Sequence, residues 1–432
     1  MMRGVFCFRN DLRLHDNAAL EHALKECDQL FLVYAFEDRY WLVKNPTRIS
    51  IHRTKFILQS LECLQRQISG RGGILHFIHG NLEDALPKFM KEMGAECCFL
   101  SEENAFEEKS TERKLSQRVP VRLEYSRTLI HLNDLPFDLE NLPETFSKFR
   151  KLVEKNWFIR SCIESPVQLF SDSNPSSTIP NLNNFGYQNK SKLGSKDYYL
   201  FRGGVSAGQH RVKEWIWEKR CISIYKKTRN YLSGSDFSSR FSPWLSNGCL
   251  SPREIYWEIK DYETKHGANE STYWLVFELL WRDFFHFFAR LHGSKIFQPQ
   301  GIHPERKSLT EPPNAEELFK DWKMGTTVNS FINANMNELR MTGWMSNRGR
   351  QNVASFLIND LGLEWRRGAQ WFEEQLIDYD PCSNYGNWLY LSGFGNDPRE
   401  KRYFNIKKQS EHYDPEGNYT REWTSSTLPV PD

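Results

Sequence analysis

Five short apolar runs in the first 125 residues, separated by four stretches of helical spacing, constrain the fold of this chain most tightly. Val5–Phe8, Leu30–Phe36, Ile74–Ile78, Cys97–Leu100 and Val121–Tyr125 read as buried strands. Between them, Ala18–Glu26, Ile51–Ile68, Leu82–Met93 and Phe106–Gln117 repeat apolar residues at helical intervals. Strands apolar on both faces, alternating with helices, require a parallel sheet covered on both sides. Ligands of such sheets lie beyond the carboxyl ends of the strands. No strand leads into G-x-G-x-x-G, and Gly70, Gly72 and Gly73 fit a turn before the third strand, so a standard dinucleotide site is not expected in this half.

From 165 to about 197 the sequence turns to Ser, Asn, Pro and Lys, as in Ser173–Asn174–Pro175–Ser176–Ser177, which reads as a linker crossing the surface. Beyond Gly203–Gly204 the pattern is long amphipathic helices with almost no strand signal. We therefore expect a Rossmann-like parallel-sheet α/β domain over 1–130, a connector over 131–200 and an all-helical domain over 201–432. Twelve of the 14 Trp lie after residue 200, so the helical half is where an explanation is needed.

Several classes drop out. Lys plus Arg number 57 against 55 Asp plus Glu, so net charge neither demands nor excludes nucleic acid. Nine scattered Cys with no C-x-x-C suit reduced thiols, not a disulfide framework or a zinc module; Cys97 and Cys98 are expected half-buried in a strand. The nearest approach to a membrane span, Trp274–Leu291, carries Glu278, Arg282, Asp283 and His286. Met1–Asn17 already holds strand and loop signals, so a cytoplasmic chain with no membrane partner is expected.

Three constellations could carry chemistry. Glu278 and Arg282 stand four apart on one helix face with Trp281 beside them. An intrahelical ion pair in an aromatic core is the bland explanation; a pocket for a flat heterocycle, stacked on the indole and hydrogen-bonded at its edge, is the sharper one. Ser238, Ser239, Arg240, Phe241, Ser242 and Pro243 cluster hydroxyls and a cation, and Pro243 could open a helix over Trp244–Leu250 whose N-terminus favours an anion. A plain helix cap is the equal alternative. Asp378–Tyr379–Asp380–Pro381–Cys382–Ser383–Asn384 fails as a calcium loop, because Ser383 stands where Gly is needed and Leu389 replaces the closing Glu. It is either a capped helix corner or polar groups converging on a ligand edge, with Asn347–Arg348–Gly349–Arg350–Gln351 supplying cations to answer the acids. No metal site is expected.

Together these residues resemble the photolyase/cryptochrome family. Phe8–Arg9–Asn10–Asp11–Leu12–Arg13 is similar to its opening, and Ser238–Trp244, Glu278–Phe284 and Thr342–Arg348 to its flavin-domain motifs. Asn347–Gln351, Asp378–Trp388 and Gly395–Asn396–Asp397–Pro398–Arg399 narrow the resemblance to the cryptochrome-DASH branch. It covers nearly the whole chain.

The resemblance implies a folded FAD in the helical domain and an antenna, 5,10-methenyltetrahydrofolate, in the α/β domain. Tyr225, Arg229, Ser238, Ser239, Arg240 and Ser242 would hold phosphates and ribityl, and Phe241, Arg282, Trp344 and Asn347 would complete the site. Arg350 and Asp378 would pair beside the ring, Asp380 would accept from its edge, and Asn384 would face N5, where a neutral amide suits a reduced anionic flavin. Glu103 is the candidate for the antenna, with a surface acid after a strand as its alternative.

The implied reaction is blue-light repair of cyclobutane pyrimidine dimers by electron transfer from reduced FAD, with Trp281 stacking on the lesion, Glu278 hydrogen-bonding it and Asn347 orienting it. Gln351 and Tyr390 stand where double-strand photolyases carry Met and Trp, so a preference for single-stranded or looped DNA is expected, with RNA as a further nucleic-acid partner and a monomeric protein. Trp388 and Trp365 match the inner members of the family's electron relay; Pro312 holds the third position, so Trp322 either substitutes or flavin photoreduction is impaired. The alternative is a signalling photoreceptor with little repair, disfavoured by the short Lys407–Asp432 tail and the presence of Glu278. Met345–Ser346–Asn347 disfavours the six-four chemistry, which needs a His pair there.

Overall fold

A computed structural model describes residues 2–41, 48–169, 178–187, 201–306, 310–397, 399 and 402–425. The linker stretch Ser173–Ser177 and Pro398 lie outside the described residues. Strands β1 (Arg3–Phe8), β2 (Gln29–Phe36), β3 (Leu75–His79), β4 (Cys97–Ser101) and β5 (Val121–Glu124) form one parallel sheet in the order β3-β2-β1-β4-β5. Strand alternation decides what covers each face. Phe6, Phe8, Leu32 and Phe99 point into the core shared with α1 (Ala18–Glu26) and α2 (Ile51–Ser69). Val5, Cys7, Val33 and Leu100 point the other way, onto α3 (Leu82–Met93) and α4 (Phe106–Ser116). Cys97 and Cys98 are fully buried, not half-buried, because β4 is an inner strand with both faces covered.

The connector is partly built into the core. Its helix α5 (Phe146–Lys155) buries Phe146, Phe149 and Val153, and Phe149 packs on Phe284 at 5.3 Å. The helical half comprises α6 (Val205–Val212), α7 (Pro252–His266), α8 (Glu270–His292), α9 (Ala315–Met324), α10 (Ser330–Thr342), α11 (Asn347–Ser355), α12 (Trp365–Gln375), α13 (Pro381–Ser392), α14 (Ile406–Tyr413) and α15 (Asn418–Thr424), with several shorter turns. Among the described residues no helix is long and apolar enough to cross a membrane; α8, the best candidate by length, fails on its charges.

Buried polar contacts join the halves. Arg13 Nη1 donates to Gly248 O at 2.8 Å, and Arg253 grips Asp16 at 2.6 Å with both residues almost inaccessible to water. Gly248 has φ of 72°, and a Cβ there would sit 2.1 Å from Asn10 O, so no larger residue fits. The same turn explains a departure from expectation: the helix after Pro243 spans only Ser242–Ser246, because the chain bends at Asn247–Gly248 to lie against Asn10 and Asp11.

Asp16 generates a stability test. Burial would raise its carboxyl, but Arg253, Arg13 and the Ser251 hydroxyl outweigh that and hold it below its ordinary 3.8. Its contribution is therefore complete above that value and is lost as pH falls through the depressed one. Asp16→Asn keeps the shape, and Asn tolerates the residue's φ of 47°. It strands Arg253 and should lower unfolding free energy at neutral pH by about 3–5 kcal/mol, read from denaturant midpoints.

Candidate functional site

Four segments wall one cavity in the helical half: the turn bearing Tyr225 and Arg229, the Ser238–Ser242 stretch, the middle of α8, and the run from Trp344 through α13. Each is placed by local rules. Arg211 pins the Ser238 and Ser239 carbonyls at 3.2 and 3.1 Å. Arg240 takes a left-handed φ of 56°, donates Nη2 to Gly234 O at 2.5 Å and lays its guanidinium 4.4 Å over the Trp344 ring. Asp380 caps α13, accepting from Ser383 N at 2.7 Å, and Pro381 follows at the first helical position. Gly368 lets Trp388 lie against α12, since a Cβ there would be 2.1 Å from the indole.

The electrostatics are consistent with a polar ligand. Arg350 Nη2 and Ser242 Oγ both donate to Asp378 Oδ2, at 2.8 and 2.6 Å, while Asp378 Oδ1 has no hydrogen-bond acceptor role filled by the protein. Gln351 Oε1 and the Nε and Nη1 of Arg240 are likewise buried without a partner. Burial pushes the Arg240 guanidinium down to about 10. Buried groups of both kinds, donors and acceptors, around one space suit a polar ligand. Asn384 is held by its amide donating to Ala369 O at 3.0 Å.

Asp380 is nearly buried. Burial would raise its carboxyl, yet it is held below its ordinary value. His286, 3.4 Å away, is itself pushed down to about 3 by burial and is uncharged at neutral pH, so Arg282, Arg127 at 3.6 Å and the Ser383 N–H keep Asp380 ionised. His286, Asp380 and Cys382 bring ligand atoms within 4.8 Å of one another, but the two guanidiniums already answer the charge.

The residues expected to meet a lesion separate into two groups. Glu278, Arg282, Asn347 and Gln351 line the cavity. Glu278 pairs with Arg229 at 2.6 Å and accepts from Trp274 Nε1 at 3.1 Å; burial raises its carboxyl more than Arg229 lowers it. Trp281 and Tyr390 are not in the lining: they meet edge to face at 5.5 Å beside it, and Arg402 lies 4.4 Å over the Tyr390 ring. Trp388 lines the cavity, and Trp365 is buried with its indole donating to Pro299 O. Trp322 is fully buried and edge-on to Trp388 at 6.5 Å, so it is a neighbour of the inner indole and not a surface terminus.

A second cavity opens at the carboxyl ends of β1 and β2, lined by Arg9, Asn10, Tyr34, Glu37, Arg53 and Glu108 among others. Glu103 is neither in this lining nor the surface acid that was its alternative. It is 4% exposed and tied to Arg127 at 3.2 Å and Asn10 at 3.1 Å, because the loop after β4 folds back into the seam between the halves. Glu108, which the sequence reading missed, faces the cavity; burial and then Glu103 push it up to about 8. Its only sequence signal was its place in the first turn of α4.

Comparison with known proteins is consistent across methods. Residues 274–432 match the family model for the FAD binding domain of DNA photolyase, and residues 5–167 that for DNA photolyase. The chain is 42% identical to a cryptochrome DASH of Danio rerio over 435 residues, covering 98% of this chain and 83% of that one. The crystal structure of the Synechocystis sp. PCC6803 cryptochrome superposes with a TM-score of 0.91 at 41% identity, covering 98% of this chain and 89% of that one. An archaeal photolyase from Sulfolobus tokodaii, solved with two FAD molecules, gives 0.81 at 27% identity, covering 100% and 92%.

The two unpartnered guanidinium nitrogens of Arg240 generate a ligand test. If its guanidinium answers the dinucleotide's phosphates, Arg240→Gln should weaken FAD retention by about tenfold or more, the value of a charged hydrogen bond. Titration of the stripped protein, followed by flavin fluorescence, measures it.

Proposed function

The chain belongs to the cryptochrome DASH branch of the photolyase/cryptochrome family, and we propose that it is a blue-light-dependent repair enzyme for cyclobutane pyrimidine dimers that prefers single-stranded DNA. The observation that carries this reading is Glu278. It is a cavity-wall carboxyl, raised by burial, three residues before Trp281 on α8. A carboxyl on that wall can hydrogen-bond the polar edge of an extruded pyrimidine while Trp281 stacks on its face.

Bound FAD supplies the light-driven electron that splits the dimer and takes it back. The chain's own residues do the rest. Arg240, Ser238 and Ser239 would hold the phosphates, the Arg350–Asp378–Ser242 set would border the ring, and Asp380 and Asn384 would bind its polar edge. Trp281 gives the extruded lesion a stacking surface and Asn347 helps orient it. Extrusion from a single strand costs less than from a duplex, and the polar Gln351 with the smaller Tyr390 leaves the pocket less able to repay duplex opening. For electron resupply, Trp388 and Trp365 serve as inner relay members and Trp322 as a buried branch off Trp388. Nucleic acid, including RNA, is the proposed partner, and the protein acts as a monomer in the cytoplasm.

We place the antenna, a folate or another flat chromophore, in the second cavity with Glu108 as the donor to its edge, in place of Glu103. The site fits: a neutral acid is available at physiological pH, flanked by Tyr34 and Tyr40.

Separate measurements test these readings. Glu278→Gln keeps a donor and should retain most dimer binding, while Glu278→Ala should weaken it by about tenfold. Matched assays on single-stranded and paired oligonucleotides should favour the former; flavin-loaded protein that repairs neither is a photoreceptor instead. Separately, Glu108→Ala should remove the near-ultraviolet antenna band and leave the flavin bands intact.

A further inference from the structure

We infer that Phe146, on the connector helix α5, is a positioning residue for lesion binding that acts by holding the Trp281 indole in place. The inference rests on the reading of Trp281 as the lesion's stacking surface. Phe146 lies parallel to Trp281, with ring centroids 3.8 Å apart and planes inclined by only 13°. This is a face-to-face stack, which two side chains adopt less readily than an offset or edge-on one. Surrounding rings hold it. Phe277 meets Phe146 edge-on at 5.1 Å and 88°, and Phe284 at 5.9 Å and 70°. The start of α5 is fixed by its Thr145 cap, and Phe146 is 5% exposed. Trp281 itself is only half-buried.

One consequence follows for the indole. Phe146 covers one face, and Phe285 at 5.4 Å and Tyr390 at 5.5 Å flank the ring, so the face against α5 is closed to a flat ligand. A partly exposed Trp with nothing behind it would sample several rotamers and would have to be ordered by each incoming lesion. Phe146 orders it when the protein folds. The residues that the sequence assigned to a tether thus supply part of the recognition apparatus.

The test uses flavin-loaded protein and a single-stranded oligonucleotide carrying one cyclobutane thymine dimer, with the undamaged strand as control. Phe146→Met fills the space without a flat face and should raise the Kd for the dimer strand by about tenfold, the upper value of one aromatic pair. The quantum yield at saturating dimer and the Kd for the undamaged strand should not move. Phe146→Tyr keeps the stack and should bind as wild type. Trp281→Ala should lose the dimer preference and abolish any further effect of Phe146→Met in the double variant. If Trp281→Ala leaves dimer affinity unchanged, the stacking reading of Trp281 fails and takes this inference with it. If Trp281→Ala weakens binding but Phe146→Met does not, only the role of Phe146 is overturned. A Phe146→Met protein that loses flavin, or loses damaged and undamaged strand affinity in parallel, also overturns it in favour of a plain packing role.

Discussion

A guanidinium with almost no access to water holds the two functional regions together. Arg127 leaves the α/β domain just after β5 and reaches Glu103 on one side and Asp380 on the other, with a further hydrogen bond to Asn10 O. A buried charge of this kind is tolerable only when it is answered on every side, and losing one neighbour is more damaging than the pair is stabilising. Arg127 also helps to keep Asp380 ionised, and Asp380 in turn caps the helix that carries Asn384 and Trp388. The shape of the ligand cavity thus depends on a residue outside the helical half.

Much of the fold was legible because it rests on local rules. Apolar runs in the first 125 residues mark all five strands to within two residues at either end, and the inner strands β1, β2 and β4 are buried as expected, but β5, with the sequence VRLE at the sheet edge, is not the buried strand its run suggested. Helices α1 and α3 have the limits their periodicity suggests. The helix after Pro243 was overextended because its end is set by Gly248 pressing on Asn10, a contact between residues more than 230 apart that no local pattern records.

The site divides along the same line. Residues that share one helix or one loop with their neighbours, such as Glu278 with Arg282 or Ser238 through Ser242, could be grouped from spacing, and resemblance supplied the pairing of Arg350 with Asp378 that the geometry shows at 2.8 Å. What could not be read were choices between nearby acids and between buried and exposed indoles. Glu103 and Glu108 are five residues apart, and only the fold of the loop after β4 turns one into the seam and the other into a cavity. Trp322 has no sequence mark that puts it under Trp388, and Phe146 sits in a stretch whose composition gives no hint of a stack with α8.

Ser246, Tyr379 and Asp380 border both cavities. The two compartments therefore share a party wall. A change of side chain at any of these three positions alters both rooms at once, so neither can be reshaped there without the other registering the change.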